Sequence, residues 1–178
     1  MNLINLPTFK EPGVVRCVVE SPRGSAAKLR YDPPVKAFEL ARALPRGLTF
    51  PFDWGFVPST MGEDGDPLDV MVIHDAATYP GLVIAGHLVA VLEVMQRDGD
   101  EAPVRNDRLF AVPVESHVED HLHDVEDLSP RLREELETFF IASARLLNKK
   151  LELLGWKGRK TAERLVSEGE KAFQKRRG

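Results

Sequence analysis

Apolar positions follow two different periods along the chain. Over the first two-thirds the pattern is that of strands. Val14, Val15, Cys17, Val18 and Val19 form a β-branched run that closes on Glu20-Ser21-Pro22, and strand alternation puts Glu20 on the face of Val18 and Arg16. Further strands are predicted over residues 28–31, 37–41, 68–73, 83–95 and 108–114. Turn-rich stretches at 22–25, 32–34, 62–67 and 97–103 separate them. The end of the chain switches to helical spacing. Ser129 suits an N-cap and Pro130 a first helical position, and Leu132, Leu136, Phe139, Phe140, Leu147, Leu151 and Leu154 then recur until Gly155 stops the run. A second helix is predicted over 161–173 on the stripe Leu165, Val166, Gly169 and Phe173. Many short strands followed by helices predict a mainly β fold, a small closed or partly closed barrel with two C-terminal α-helices packed outside.

A length of 178 residues fits one domain spanning 1–178. The formal net charge of −4 argues against a general nucleic-acid binder, and the basic end, Lys171 to Arg177, reads as a solvated helix tail. Cys17 is alone, which suggests a reducing compartment. Residues 1–13 lack a signal-peptide layout, and the apolar stretch 82–95 is broken by Gly86, His87 and Glu93, so no membrane contact is expected. The expected location is the cytoplasm.

The chemistry concentrates at Glu63-Asp64-Gly65-Asp66-Pro67-Leu68-Asp69-Val70. Three aspartates within six residues disfavour one another's ionisation unless a cation shares the site. An oxygen-only donor set suits Mg²⁺ or Mn²⁺ better than zinc. Asp-Gly-Asp is also ordinary turn chemistry. A calcium loop fits poorly, because Asp69 stands where such a loop needs glycine. The strand that follows favours the metal reading, because it fastens the carboxylates to a half-buried element. His117 and His121 have a spacing that could hold zinc on a helix, but the stretch 118–127 lacks a metalloprotease glutamate, and a polar loop or subunit contact is the favoured reading. No nucleophile motif and no glycine-rich phosphate loop is present. Lys28 and Arg42 accompany the carboxylates, and aspartates, divalent metal and strand-borne cations together suit a small polyphosphate.

In these residues the sequence resembles the soluble family I inorganic pyrophosphatases. Their signature, Asp-small-Asp-Pro-aliphatic-Asp-aliphatic, is matched by Asp64 to Val70. Glu20-Ser21-Pro22, the Lys28 strand, Arg42, Pro51-Phe52-Asp53-Trp54-Gly55-Phe56, Phe110-Ala111-Val112-Pro113, Asp124 to Leu128, Phe139-Phe140 and Gly155-Trp156 follow in the family's order. The resemblance implies an OB-like five-stranded β-barrel, a homo-oligomer, and Mg²⁺-dependent hydrolysis of pyrophosphate by a metal-activated water. Carried over to this chain, Asp64 and Asp69 would hold metal, Asp66 would accept the water's proton, Glu20 would serve an outer metal or water shell, and Lys28 and Arg42 would bind phosphate.

Several positions depart from the family pattern. Arg30 stands where a glutamate is usual, and Phe50 and Trp54 replace two tyrosines. Simple register puts Gln96, Asn106 and Arg108 at two later aspartates and a lysine, with Asp98, Asp100 or Asp107 as substitutes if the loop folds differently. Ser143-Ala144 takes the place of a Tyr-Lys pair. Arg30, Arg108, Trp54 and Asn106 are therefore candidate substrate contacts. Phe50 either faces the site or packs in the core beside Phe52. The alternatives to a pyrophosphatase are a phosphohydrolase of the same fold acting on another phosphoanhydride or phosphoester, and a non-catalytic relative that binds metal or phosphate.

Overall fold

The computed structural model describes residues 2–117, 120–145 and 149–177. Among these residues ten strands are formed: β1 (Phe9–Glu11), β2 (Val14–Ser21), β3 (Ala27–Asp32), β4 (Ala37–Ala43), β5 (Asp53–Phe56), β6 (Asp69–Val72), β7 (Val83–Asp98), β8 (Val104–Arg105), β9 (Arg108–Pro113) and β10 (Lys149–Gly158). Two helices, α1 (Pro130–Arg145) and α2 (Arg159–Arg177), complete the framework.

Strands β2, β5, β6, β9 and β7 are hydrogen-bonded in a ring, because β7 pairs with both β9 and β2. The result is a strongly curled sheet of mostly antiparallel strands, with one parallel seam between β6 and β9. It is less regular than the barrel expected from the sequence, since β2, β7 and β10 each carry a register irregularity that bends them. Both faces are buried. Met71, Leu92, Phe110 and Trp54 pack with Leu136, Phe139 and Phe140 of α1, while Val15, Val70, Val91 and Leu109 pack with Ala162 and Val166 of α2. Burial on both faces explains why these strands read as near-continuous apolar runs. Where β5 crosses β2, a Cβ at Gly55 would lie 1.8 Å from the Val18 carbonyl oxygen, so only glycine fits.

The predicted first helix is shorter than the sequence pattern suggested. It ends at Arg145, and Leu151 and Leu154 lie in β10 instead. Leu147, part of the same predicted stripe, and Val118 lie outside the described residues. The alternation Lys150-Leu151-Glu152-Leu153 supports a strand as well as a helix, and β7, sixteen residues long, extends far enough to pair with it from Asp98 to Ala90. Gly155, read as a helix stop, sits at the β10 irregularity with φ of +121°. The second helix runs further in both directions than 161–173. Strands β1, β5, β8 and β10 had no sequence prediction, and residues 50–52 precede β5 without joining it.

A separate hairpin, β3–β4, is tied to β2 by two side chains. Ser21 Oγ accepts from the Leu29 amide at 2.8 Å and Glu20 Oε1 from the Tyr31 amide at 2.7 Å. This hairpin sets Lys28 directly opposite Arg42. Like charges facing each other across strands are destabilising without an anion between them.

Candidate active site

The open side of the curled sheet, the β3–β4 hairpin and the last turns of α2 enclose a cavity of about 920 Å³. One wall is acidic. Asp64 and Asp66 sit on a tight turn that Gly65 makes with φ of +83°, and Asp69 begins β6. The turn is closed by hydrogen bonds from the Gly62 amide to the Asp66 carbonyl, 2.8 Å, and from the Asp66 amide to Asp64 Oδ1, 3.2 Å. Glu20 joins the wall from β2. Burial pushes the Asp64 carboxyl up, opposed by the hydrogen bond from the Asp66 amide and reinforced by the Asp66 charge. Burial also raises Glu20, opposed by the Tyr31 amide and by Lys28 and Arg30. Both groups carry the signature of carboxylates that would gain from a cation.

A cationic set meets the acidic one in the same lining. Lys28, though half-buried as a residue, has its amine inside the cavity 5.7 Å from the Trp54 ring centroid. Burial first, and then the Arg108 and Arg42 charges, push that amine down to about 8. Arg108 is buried against the rings of Trp54 (5.3 Å) and Phe140 (6.0 Å), and burial lowers it to about 10. Its guanidinium donates to Asp69, to Asn106 and, at 3.2 Å, to Gln96. A small recess of about 40 Å³ lies behind, lined among others by Lys28, Arg42, Trp54, Arg108 and Ser143. Around it Arg42 Nε, Trp54 Nε1 and Arg108 Nε are buried donors with no acceptor among the described residues. Orphaned buried donors are rare, and three around one recess point to an anionic ligand.

The structure thus brings together Glu20, Lys28, Arg42, Asp64, Asp66, Asp69, Asn106 and Arg108 in one cavity, with Trp54 beneath the cations. Arg30 lies at the exposed mouth and pairs with Asp66 at 3.0 Å. Of the three alternative aspartates, Asp98 lines the cavity. Asp107 instead accepts from the Val94 amide and Arg105, and Asp100 is exposed away from the lining. Phe50 is core, packed against Trp54 and Phe139, and borders the recess.

Three contributors had no sequence signal of their own. Lys149, at the start of β10, reaches the cavity and pairs with Asp98 at 2.6 Å. Arg176 and Arg177, in the tail read as merely solvated, stand at the cavity's edge, where Arg176 donates to the Gly65 carbonyl at 3.4 Å. Recognising β10 as a strand paired to β7 would have placed Lys149 beside Asp98.

Among the described residues no three His, Cys, Asp or Glu side chains gather into a closed metal cage, at the aspartates or at the histidines. That is compatible with Mg²⁺, which keeps several waters and needs only one or two carboxylates together with substrate phosphates. The Asp64 carboxyl, exposed on its turn yet raised by desolvation, and the Asp69 carboxylate, which Arg108 engages through Oδ2, fit such an ion.

The family model described as inorganic pyrophosphatase matches residues 17–174. The inorganic pyrophosphatase of Nostoc is 36% identical over 174 residues, covering 98% of this chain and all of the relative. That of Thermus thermophilus is 38% identical over 165 residues, covering 90% and 91%. The crystal structure of inorganic pyrophosphatase from Thermus thermophilus superposes with a TM-score of 0.90 at 34% identity, covering 98% of this chain and 99% of that one.

Proposed function

The chain belongs to the inorganic pyrophosphatase family, and from that premise we propose that it hydrolyses inorganic pyrophosphate to two phosphates with Mg²⁺, or Mn²⁺, at the acidic wall. The observation that carries the reading is one cavity lined both by Asp64, Asp66 and Asp69 and by Lys28, Arg42 and Arg108, with Arg108 donating to Asp69 where the two sets meet.

Asp64 and Asp69 would hold the cation, with Glu20 in its outer shell. When bound, the ion would lower the pKa of a water and neutralise phosphoryl charge. The attacking water gives its proton to the Asp66 carboxylate as its oxygen bonds to phosphorus, and the bridging P–O bond breaks with the electron pair leaving on the second phosphate. Arg30, paired with Asp66, holds that carboxylate at the mouth. Lys28, Arg42 and Arg108 take the phosphoryl oxygens, and the Trp54–Phe140 floor keeps water from the back of the site. No covalent intermediate is required, in keeping with the absence of a nucleophile motif. We expect the enzyme to work as a cytoplasmic homo-oligomer without nucleic-acid or membrane partners.

A second reading, a larger phosphoanhydride as substrate, is favoured by one observation: the short side chains of Ser143 and Ala144 line the cavity and leave room beside the leaving group. Phosphate release from pyrophosphate, tripolyphosphate, nucleotides and monoesters separates the two. Pyrophosphate should be the best substrate, chelation should abolish turnover, and Ca²⁺ should support it poorly because its looser geometry misplaces the water. Asp66→Asn should fold normally and lose about 10²–10⁴-fold in kcat, the range of general-base catalysis. Full turnover by that variant, or turnover after exhaustive chelation, would refute the reading.

A further inference from the structure

Cationic side chains slightly outnumber carboxylates around the cavity, so its charge is unlike that of a purely acidic metal site. Three of its aspartates are already matched, Asp66 by Arg30, Asp69 by Arg108 and Asp98 by Lys149. Gln96 and Asn106, amides without charge, complete the cradle of Arg108. The two nearby aromatic faces fix the guanidinium in place, and a guanidinium keeps its proton throughout the working pH range. Among the described residues its Nε, with Arg42 Nε and Trp54 Nε1, has no acceptor. The arrangement has the attributes of a bound cation: fixed position, permanent charge and unfilled acceptor demand.

We propose that Arg108 stands in for a divalent cation, so that one phosphoryl group of pyrophosphate binds in the recess between Arg42, Trp54 and Arg108 without metal, and fewer ions are needed to hold the ligand. The inference rests on pyrophosphate being the ligand of this cavity. It assigns Arg108 two opposed effects: it attracts the ligand, and by occupying Asp69 it competes with metal.

The test is calorimetric titration of inorganic pyrophosphate into the full chain stripped with chelator, alongside Mn²⁺ titration followed by electron paramagnetic resonance without pyrophosphate. The wild type should bind pyrophosphate with no metal present. Arg108→Gln should weaken that binding by about tenfold or more, the worth of one charge-assisted hydrogen bond, while Mn²⁺ affinity rises because Asp69 is released. A merely structural role would lower both affinities. If Arg108→Gln fails to fold, Trp54→Phe, which removes one recess donor and keeps the floor, should still weaken metal-free pyrophosphate binding. Wild-type protein that binds pyrophosphate only with metal, or an Arg108→Gln variant that binds it equally well without metal, overturns the proposal. Phosphate release with Mg²⁺ is measured on the same samples: turnover without metal-free binding rejects the inference alone, whereas metal-free binding without turnover at any metal concentration rejects the hydrolytic reading.

Discussion

Replacing Lys28 with methionine should stabilise the metal-free protein while removing most of its activity. The Lys28 amine is buried beside Arg108 and Arg42, with Glu20 as the opposing charge, and moves from the ordinary 10.5 down to about 8. At about 1.36 kcal/mol per pH unit, that displacement corresponds to roughly 3 kcal/mol of cost for keeping the amine charged. The cavity opens to solvent, and screening reduces the figure to about 1–2 kcal/mol. Methionine matches the stem and removes the charge. The sign follows from proton linkage. Below pH 8 folded and unfolded chains both carry the proton, and the full cost is present. Between pH 8 and 10.5 the unfolded chain binds the proton more tightly, so wild-type stability rises with pH relative to the variant. Urea unfolding at pH 7 and at pH 10, in chelator, measures both effects. The variant should have the higher midpoint at pH 7, equivalent to a few degrees in melting temperature, and the gap should narrow by pH 10. Its kcat/KM for pyrophosphate should fall by about one to two decades, the value of a charge-assisted hydrogen bond to phosphate. A variant less stable than wild type at pH 7, or a gap that does not change with pH, would refute the account of Lys28 as a charge held for its ligand at the expense of the fold.

Phe50→Tyr should bury a hydroxyl among Trp54 and Phe139, cost about 1–3 kcal/mol, and leave kcat/KM unchanged; a thermal melt and a rate assay check this, and a gain in kcat/KM would show that the ring serves the site. Gly55→Ala would drive a methyl group into the Val18 carbonyl oxygen at 1.8 Å, so it should cost about 3 kcal/mol or more, visible as loss of soluble folded protein; wild-type unfolding behaviour would mean that β2 and β5 can part at that crossing.

The strands that carry apolar residues at a clear period were legible in the sequence. So was the acidic turn, because Asp64, Gly65, Asp66, Pro67 and Asp69 are local in chain and local in space. The cationic wall was only half legible. Lys28 and Arg42 sit in a hairpin whose period is readable, whereas Arg108 was a candidate only through the family resemblance, and its contact with Asp69 follows from β9 lying beside β6 in a parallel seam. Leu151 and Leu154 fit helical spacing as well as strand alternation, and the choice was made by the exposed edge of β7, which no local window contains. Hiding β10 hid Lys149. Arg176 and Arg177 illustrate the same limit, since their place by the cavity follows from how α2 lies across the sheet.

The closed ring also has a temporal consequence. Its seams join Val18 to Val83 and Val70 to Leu109, so neither can form from a short stretch of chain. Loop entropy is lost before such long-range contacts repay it, and folds of this kind mature in milliseconds to seconds. During synthesis the acidic turn emerges well before Arg108, and Lys149 follows later still. No early folding intermediate can therefore hold a finished site, and truncated chains ending before β10 should have no activity to regulate or to waste.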